Sequence, residues 1–232
     1  MADGVHVCEK DGGWRECKAG VILKQVGDRL FEEGTFCTWE RVTVFRNMLS
    51  WMLVKIFSVE YEMVMISDGA KWIRQMREKI DCLNNVKVIW ILDWFHLKEY
   101  VLKLSRALGL QEKDDTVQKI ISELWRGNIT EALKEVDSIP LLEDEEEKKK
   151  QEAAIKTFKT YLLNQEEGII DYKEYKEKGY LIGSGFMEKR NDTLIKKRMV
   201  HQKRMKWGLE GGEAMMQLLC AKMNGRLEEV FA

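Results

Sequence analysis

The sequence predicts an α/β protein that carries a long, wholly helical segment. Three observations lead there. Two short apolar runs, 63–66 and 86–92, each stop at a polar turn and are each followed by an amphipathic stretch, the pattern of buried strands alternating with helices in an α/β layer. Residues 109–170 are polar and helix-like throughout. A single proline, Pro140, leaves the remaining helical patterns uninterrupted.

Taken in order, residues 5–8 read as a short strand and Lys10-Asp11-Gly12-Gly13 as a turn whose glycines accept positive φ. Residues 14–23 read as the returning strand, with Gly20 marking a bulge. A helix is expected from Thr38, as its cap, to Phe57, because Val44, Phe45, Met48, Leu49, Met52 and Leu53 recur at three- and four-residue spacing. The run 63–66 ends at Ser67-Asp68-Gly69, and a helix follows over 70–80. The run 86–92 ends at Asp93, and a second helix follows over 94–108. In open α/β sheets, acids at the C-terminal ends of strands lie where chemistry usually occurs.

Within the polar stretch, Asp144, Glu145 and Glu146 precede Lys148, Lys149 and Lys150 by four residues, the favourable order for ion pairs on a solvated helix face. The last part opens with Tyr180-Leu181-Ile182-Gly183-Ser184-Gly185-Phe186-Met187-Glu188, continues as a basic helical segment over 189–206, and ends in an apolar helix over 214–223.

Composition narrows the function. The chain has 232 residues, 45% of them hydrophobic, enough for one large domain or two small ones with a real core. Its 38 basic and 39 acidic residues nearly cancel, which excludes a uniformly basic coat and leaves nucleic-acid contact to a local patch. The stretch from Glu188 to Lys206 is such a patch, with eight Lys or Arg against two acids. No apolar run is long enough to span a bilayer, and the start Met1-Ala2-Asp3-Gly4 lacks an export leader, so a cytoplasmic protein is expected. Five scattered cysteines without a CxxC pair predict reduced thiols rather than a disulfide framework or zinc knuckle. Ser184 lacks the surroundings of a nucleophile elbow, and the Gly-Ser-Gly turn lacks the downstream lysine of a phosphate-binding loop.

Three carboxylates stand out by position: Asp3 on the first strand, Asp68 at the end of a buried strand, and Glu188 after the Gly-Ser-Gly turn. Carboxylates on strand ends and a facing helix can bind two hard divalent cations. Each also has a plain structural reading, as a turn residue or as a helix-dipole partner.

Six segments in order shift the balance. They are Ala2-Asp3-Gly4-Val5-His6-Val7, Trp14-Arg15-Glu16-Cys17-Lys18-Ala19-Gly20, Ser67-Asp68-Gly69-Ala70-Lys71-Trp72-Ile73, Leu92-Asp93-Trp94-Phe95-His96, Ile182-Gly183-Ser184-Gly185-Phe186-Met187-Glu188 and Arg204-Met205-Lys206-Trp207. Together they resemble the DDE transposases of bacterial and archaeal insertion sequences, in the ISLre and ISKra groups related to mutator-like transposases, from Asp3 to about Asn224. The resemblance implies a ribonuclease-H-like mixed sheet with an all-helical insertion before the last catalytic acid. It places the catalytic domain at 1–108 and 176–232 and the insertion at 109–175. The implied catalytic and metal-binding set is Asp3, Asp68 and Glu188, holding two Mg²⁺ or Mn²⁺ ions. Asp93 and His96 fall on the family's Asp-x-x-His element and are expected to organise the site or contact DNA. Asp68 is preferred to Asp93 as the second acid.

The implied activity is metal-dependent DNA strand cleavage and strand transfer. Phosphate contacts are expected from Lys189, Arg190, Lys196, Lys197, Arg198, Lys203, Arg204 and Lys206. Double-stranded DNA is the expected partner, with a homodimer by analogy, since transposition pairs two ends. Trp207 is expected in the core rather than on a base. Only two residues precede Asp3, where the family has a long N-terminal region, so the chain is read as a partial remnant unable to transpose alone. Three alternatives stay open: a catalytically dead DNA-binding protein, a ribonuclease-H-like nuclease, and a helical protein-interaction module built on the acidic insertion.

Overall fold

The computed structural model describes residues 1–56, 62–80, 87–200 and 205–230. Two compact units share the chain, one formed by Met1–Ile89 with Ser184–Ala232 and the other by Trp90–Gly183. The fold is mixed α/β, and among the described residues no helix is long and apolar enough to cross a membrane.

In the first unit β1 (Ala2–Cys8), β2 (Trp14–Val26) and β3 (Arg29–Thr38) form an antiparallel sheet in that order. Asp3 pairs with Ala19, and Ala19 with Cys37, so these three share one row across the sheet. Alternation puts Val5 and Val7 inside and leaves His6 exposed. Gly20 fills a different need from the expected bulge. It faces Phe36 on β3, and a Cβ there would lie 2.5 Å from the ring, so the aromatic lies across a glycine. The register shift occurs instead between Ile22 and Leu23.

Both faces of this sheet are covered. On one, Val5, Val7, Cys17, Ala19, Val21 and Cys37 join a core with Met187, Leu194, Ile195, Met199, Met216 and Cys220. These come from α8 (Gly185–Asn191), the π-helical Asp192–Val200 that continues it, and α9 (Leu209–Met223). On the other, Phe36 packs on Phe45 of α1 (Val42–Ile56) at 4.8 Å between centroids. Phe45 in turn meets Trp72 of α2 (Lys71–Ile80) edge-on at 5.2 Å.

The core is rich in sulfur. Cys37 Sγ lies 2.9 Å from Cys220 Sγ, and Cys17 Sγ donates to Met216 Sδ at 2.7 Å. Hydrogen bonds with Cys17 and Cys220, then burial, raise the Cys37 thiol well above its ordinary pKa, so it stays protonated. Cys8, Cys17, Cys37 and Cys220 are free thiols, and Cys82 lies outside the described residues.

Three boundaries differ from the expectations. Strand β3 is an element the sequence pattern does not announce, because 29–38 mixes charged and apolar residues without clean alternation. The helix α1 starts at Val42 rather than at a Thr38 cap. Thr38 is instead the last residue of β3, and its hydroxyl donates to Glu213 of α9 at 3.0 Å. The basic segment begins as α8, becomes π-helical at Asp192, and passes through 201–204, which lie outside the described residues.

β4 (Glu62–Ser67) and β5 (Lys87–Leu92) form a separate two-stranded sheet, and the boundary between the units falls within β5. The second unit holds α3 (Trp94–Ala107), α4 (Asp115–Trp125), α5 (Ile129–Asp137), α6 (Glu145–Asn164) and α7 (Tyr172–Glu177). Because α3 packs on α4 and α6, the helical unit is wider than the expected 109–175. Its centre is aromatic: Trp94 meets Trp125 at 4.7 Å and Tyr172 at 5.0 Å. The Tyr172 hydroxyl donates to the Leu92 carbonyl at 2.9 Å, and burial, with Tyr161 and Asp93, pushes its pKa well up. At the start of α6 the Asp144 carboxylate accepts from the amides of Glu146 and Glu147. Lys150 lies 3.2 Å from Glu146 and 2.8 Å from Glu147, the ion pairs of a solvated face.

Candidate functional site

Asp3 ends the core-facing row of β1, half-buried where apolar packing gives way to polar groups. Both of its carboxylate oxygens are held. Oδ1 accepts from the Gly4 amide at 2.7 Å, and Oδ2 accepts from Asn191 Nδ2, also at 2.7 Å. Asn191 is the last residue of α8 and is fully buried. Its Oδ1 is buried as well and has no hydrogen-bond partner.

Glu188 lies three residues before Asn191, and residues at that spacing share one side of a helix. Ser184, Met187 and Asn191 are buried while Glu188 is exposed, so α8 turns an apolar edge to the sheet and carries Glu188 at the margin of that contact. Its start is fixed by the Met187 and Glu188 amides donating to the Ser184 carbonyl at 2.6 and 3.0 Å.

Asp68 follows β4 directly, and β4 packs against β1. Its Oδ1 accepts from the Ala70 amide at 2.9 Å, closing a local turn. Gly69 within that turn has φ +83°, a conformation costly for any residue with a side chain. β1 therefore touches both α8 and β4, the elements that carry or immediately precede the other two acids.

The three carboxylates are not gathered tightly. No set of one oxygen each from Asp3, Asp68 and Glu188 lies within 4.8 Å of one another. Ligands of one Mg²⁺, each about 2.1 Å from it, lie no more than about 4.2 Å apart. This separation is too wide for a single ion. A pair of ions about 3.5–4 Å apart can have outer carboxylates farther from each other. In donor type, three carboxylates and an orphaned amide oxygen suit a hard cation of that kind.

Asp93 and His96 belong to the second unit. Asp93 is fully buried and caps α3, accepting from the Phe95 and His96 amides at 2.7 and 3.3 Å. His96 is half-buried in the first turn. Ile182 accepts from the Trp94 amide at 3.0 Å, and a Cβ on Gly183 would come within 2.6 Å of the Phe95 ring. The first glycine of Gly-Ser-Gly thus serves close packing against this helix start.

The basic residues divide. Arg190 pairs with Glu32 and lies over the Phe186 ring, and Lys196 pairs with Asp192 at 2.8 Å. Lys189, Lys197, Arg198 and Lys206 are exposed. Lys203 and Arg204 lie outside the described residues. Trp207 packs against the core and donates its indole N–H to the Met199 carbonyl at 3.3 Å.

Residues 5–230 match the model of an uncharacterised protein family, UPF0236. The chain belongs to UPF0236. Two curated UPF0236 proteins of Caldanaerobacter subterraneus subsp. tengcongensis resemble it. One is 33% identical over 165 residues, which is 70% of this chain and 32% of the relative. The other is 32% identical over 165 residues, 70% of this chain and 31% of the relative, and its name joins eleven locus designations from that strain. The chain spans about a third of the length of these UPF0236 relatives. No solved structure matches.

Asn191 was missed in the sequence. The available signal was modest: a polar residue three positions after Glu188, set between Arg190 and Asp192.

Proposed function

We propose that this chain is the ribonuclease-H-like catalytic part of a DDE transposase that cuts and joins DNA with two divalent cations. The observation that carries this reading is the linkage of the acids through β1. Asp3 is tied to α8 one turn from Glu188, and β1 packs against β4, the strand that immediately precedes Asp68. The multicopy relative adds support, since eleven loci in one strain are what a gene that moves or copies itself would leave.

The residues divide the work. Asp3 enters the reaction with both oxygens oriented, which limits the reorganisation needed on binding cations. Asp68 is oriented through one oxygen, and Glu188 reaches from the margin of α8. Bound Mg²⁺ would lower the pKa of an attacking water or 3′-hydroxyl and offset charge at phosphorus. Lys189, Lys197, Arg198 and Lys206 would hold the phosphate backbone, supplying affinity but no sequence choice. No covalent enzyme intermediate is required, in keeping with the packing roles of Ser184 and the buried thiols.

The test is nicking of supercoiled plasmid by the chain in Mg²⁺ or Mn²⁺, beside Asp3→Asn and Glu188→Gln. Cation-dependent nicking lost in both variants supports the reading, and joined strand-transfer products separate a transposase from a simple nuclease. Cation-independent nicking, or equal nicking by wild type and both variants, would sink it.

A further inference from the structure

We infer that Asn191 is a positioning residue of the acidic site, holding Asp3 through Nδ2 and offering Oδ1 to the hydration shell of a bound cation. This inference rests on the proposed cation-dependent reading of Asp3, Asp68 and Glu188.

Two independent observations support it. First, the Asn191 side-chain amide donates to Asp3 Oδ2 at 2.7 Å from a fully buried position on α8. A buried amide donating to a carboxylate orients it and fixes which lone pairs point elsewhere. Second, Asn191 Oδ1 is buried and unpartnered. Burying an amide oxygen without a hydrogen bond costs about 1–3 kcal/mol. It shares a carbon with Nδ2, so it lies beside the same carboxylate. Exchanging the two amide atoms would set oxygen against oxygen at Asp3 and is ruled out by charge. An unpartnered acceptor on the amide that holds the acid has a lone pair left for a hydrogen bond from a cation-bound water once an ion binds there.

Position in the chain strengthens the case. Asn191 closes α8, and π-helical winding begins at the next residue, Asp192. Such a change of winding is common at functional sites.

The experiment is a Mn²⁺ titration of the full chain, with free ion followed by electron paramagnetic resonance, combined with thermal melts with and without Mn²⁺. Asn191→Ala should weaken Mn²⁺ binding about tenfold or more, the usual effect of removing a residue that orients a ligand. Asn191→Asp keeps the shape but sets a second negative charge beside Asp3. It should melt lower than wild type without metal and gain more than wild type when Mn²⁺ is added, a response that packing alone would not produce. Asn191→Ala within twofold of wild type, where Asp3→Asn has lost binding, overturns this inference and leaves the acidic site standing. Equal binding by wild type and Asp3→Asn, or none by wild type, overturns both. Should Asn191→Ala not fold, Asn191→Asp decides, and a Mn²⁺ gain no larger than that of wild type refutes the role.

Discussion

The two units are stabilised in different ways. In the first, strands near the N-terminus are covered by helices from the C-terminal quarter, so Cys17, Cys37, Met216 and Cys220 meet across some 200 residues of sequence. In the second, helices adjacent in sequence pack on one another around Trp94, Trp125 and Tyr172. Long-range closure costs chain entropy before any contact repays it, whereas local helical contacts form early. The difference teaches where chemistry can be built. Asp3 and Asn191 can meet only in a unit whose two chain ends are brought together, while in the helical unit Asp93 Oδ1 caps α3.

The sharpest way to test that contrast is Glu188→Gln. It should reduce nicking by about a thousandfold, since metal ligation supplies several kcal/mol of transition-state stabilisation, while the melting temperature stays put because the side chain is exposed. Next comes Trp39→Ala. Trp39 is buried in the first unit, where its ring leaves no room for a Cβ on Gly212, and the loss should be about 3–5 kcal/mol. Hydrogen exchange should then quicken over 1–56 and 205–230 and stay unchanged over 94–164. Quickening throughout would show the units to be one cooperative body. Smaller is Tyr172→Phe, which strands the Leu92 carbonyl and should cost about 1–3 kcal/mol by denaturant unfolding. Smallest is Lys197→Ala with Arg198→Ala, which should leave stability alone and make the logarithmic salt slope of DNA binding shallower by about two. An unchanged slope would remove the basic segment from the DNA contacts.

Legibility in the sequence followed physical cause. The β1–β2 hairpin showed in its glycine turn and alternation, α3 in its periodicity, and α6 in its charge order. Strand β3 did not, because its outer half is largely exposed and mixes Leu30 and Phe31 with Arg29, Glu32 and Glu33, and only residues 34–38 are largely buried. Thr38 looked like a cap because its hydroxyl needs a partner. The partner proved to be Glu213, 175 residues away, and no local pattern reveals that. The three acids stood out by position and by resemblance. Asn191 carried no such mark, since its role depends on which face of α8 meets the sheet. Arg190 and Lys196 looked like the other cations of the run, and only tertiary placement separates those paired with Glu32 and Asp192 from those left exposed.

The winding of Asp192–Val200 has a mechanical corollary. At α-helical pitch Leu194 and Met199 would project about 140° apart, too far to enter one core together. The looser coil turns both inward and leaves Lys197 and Arg198 outside. Removing one residue from that coil, or tightening it, would pivot either the greasy anchors or the cations out of line. Nine residues thus set the angle at which charge leaves the body of the protein.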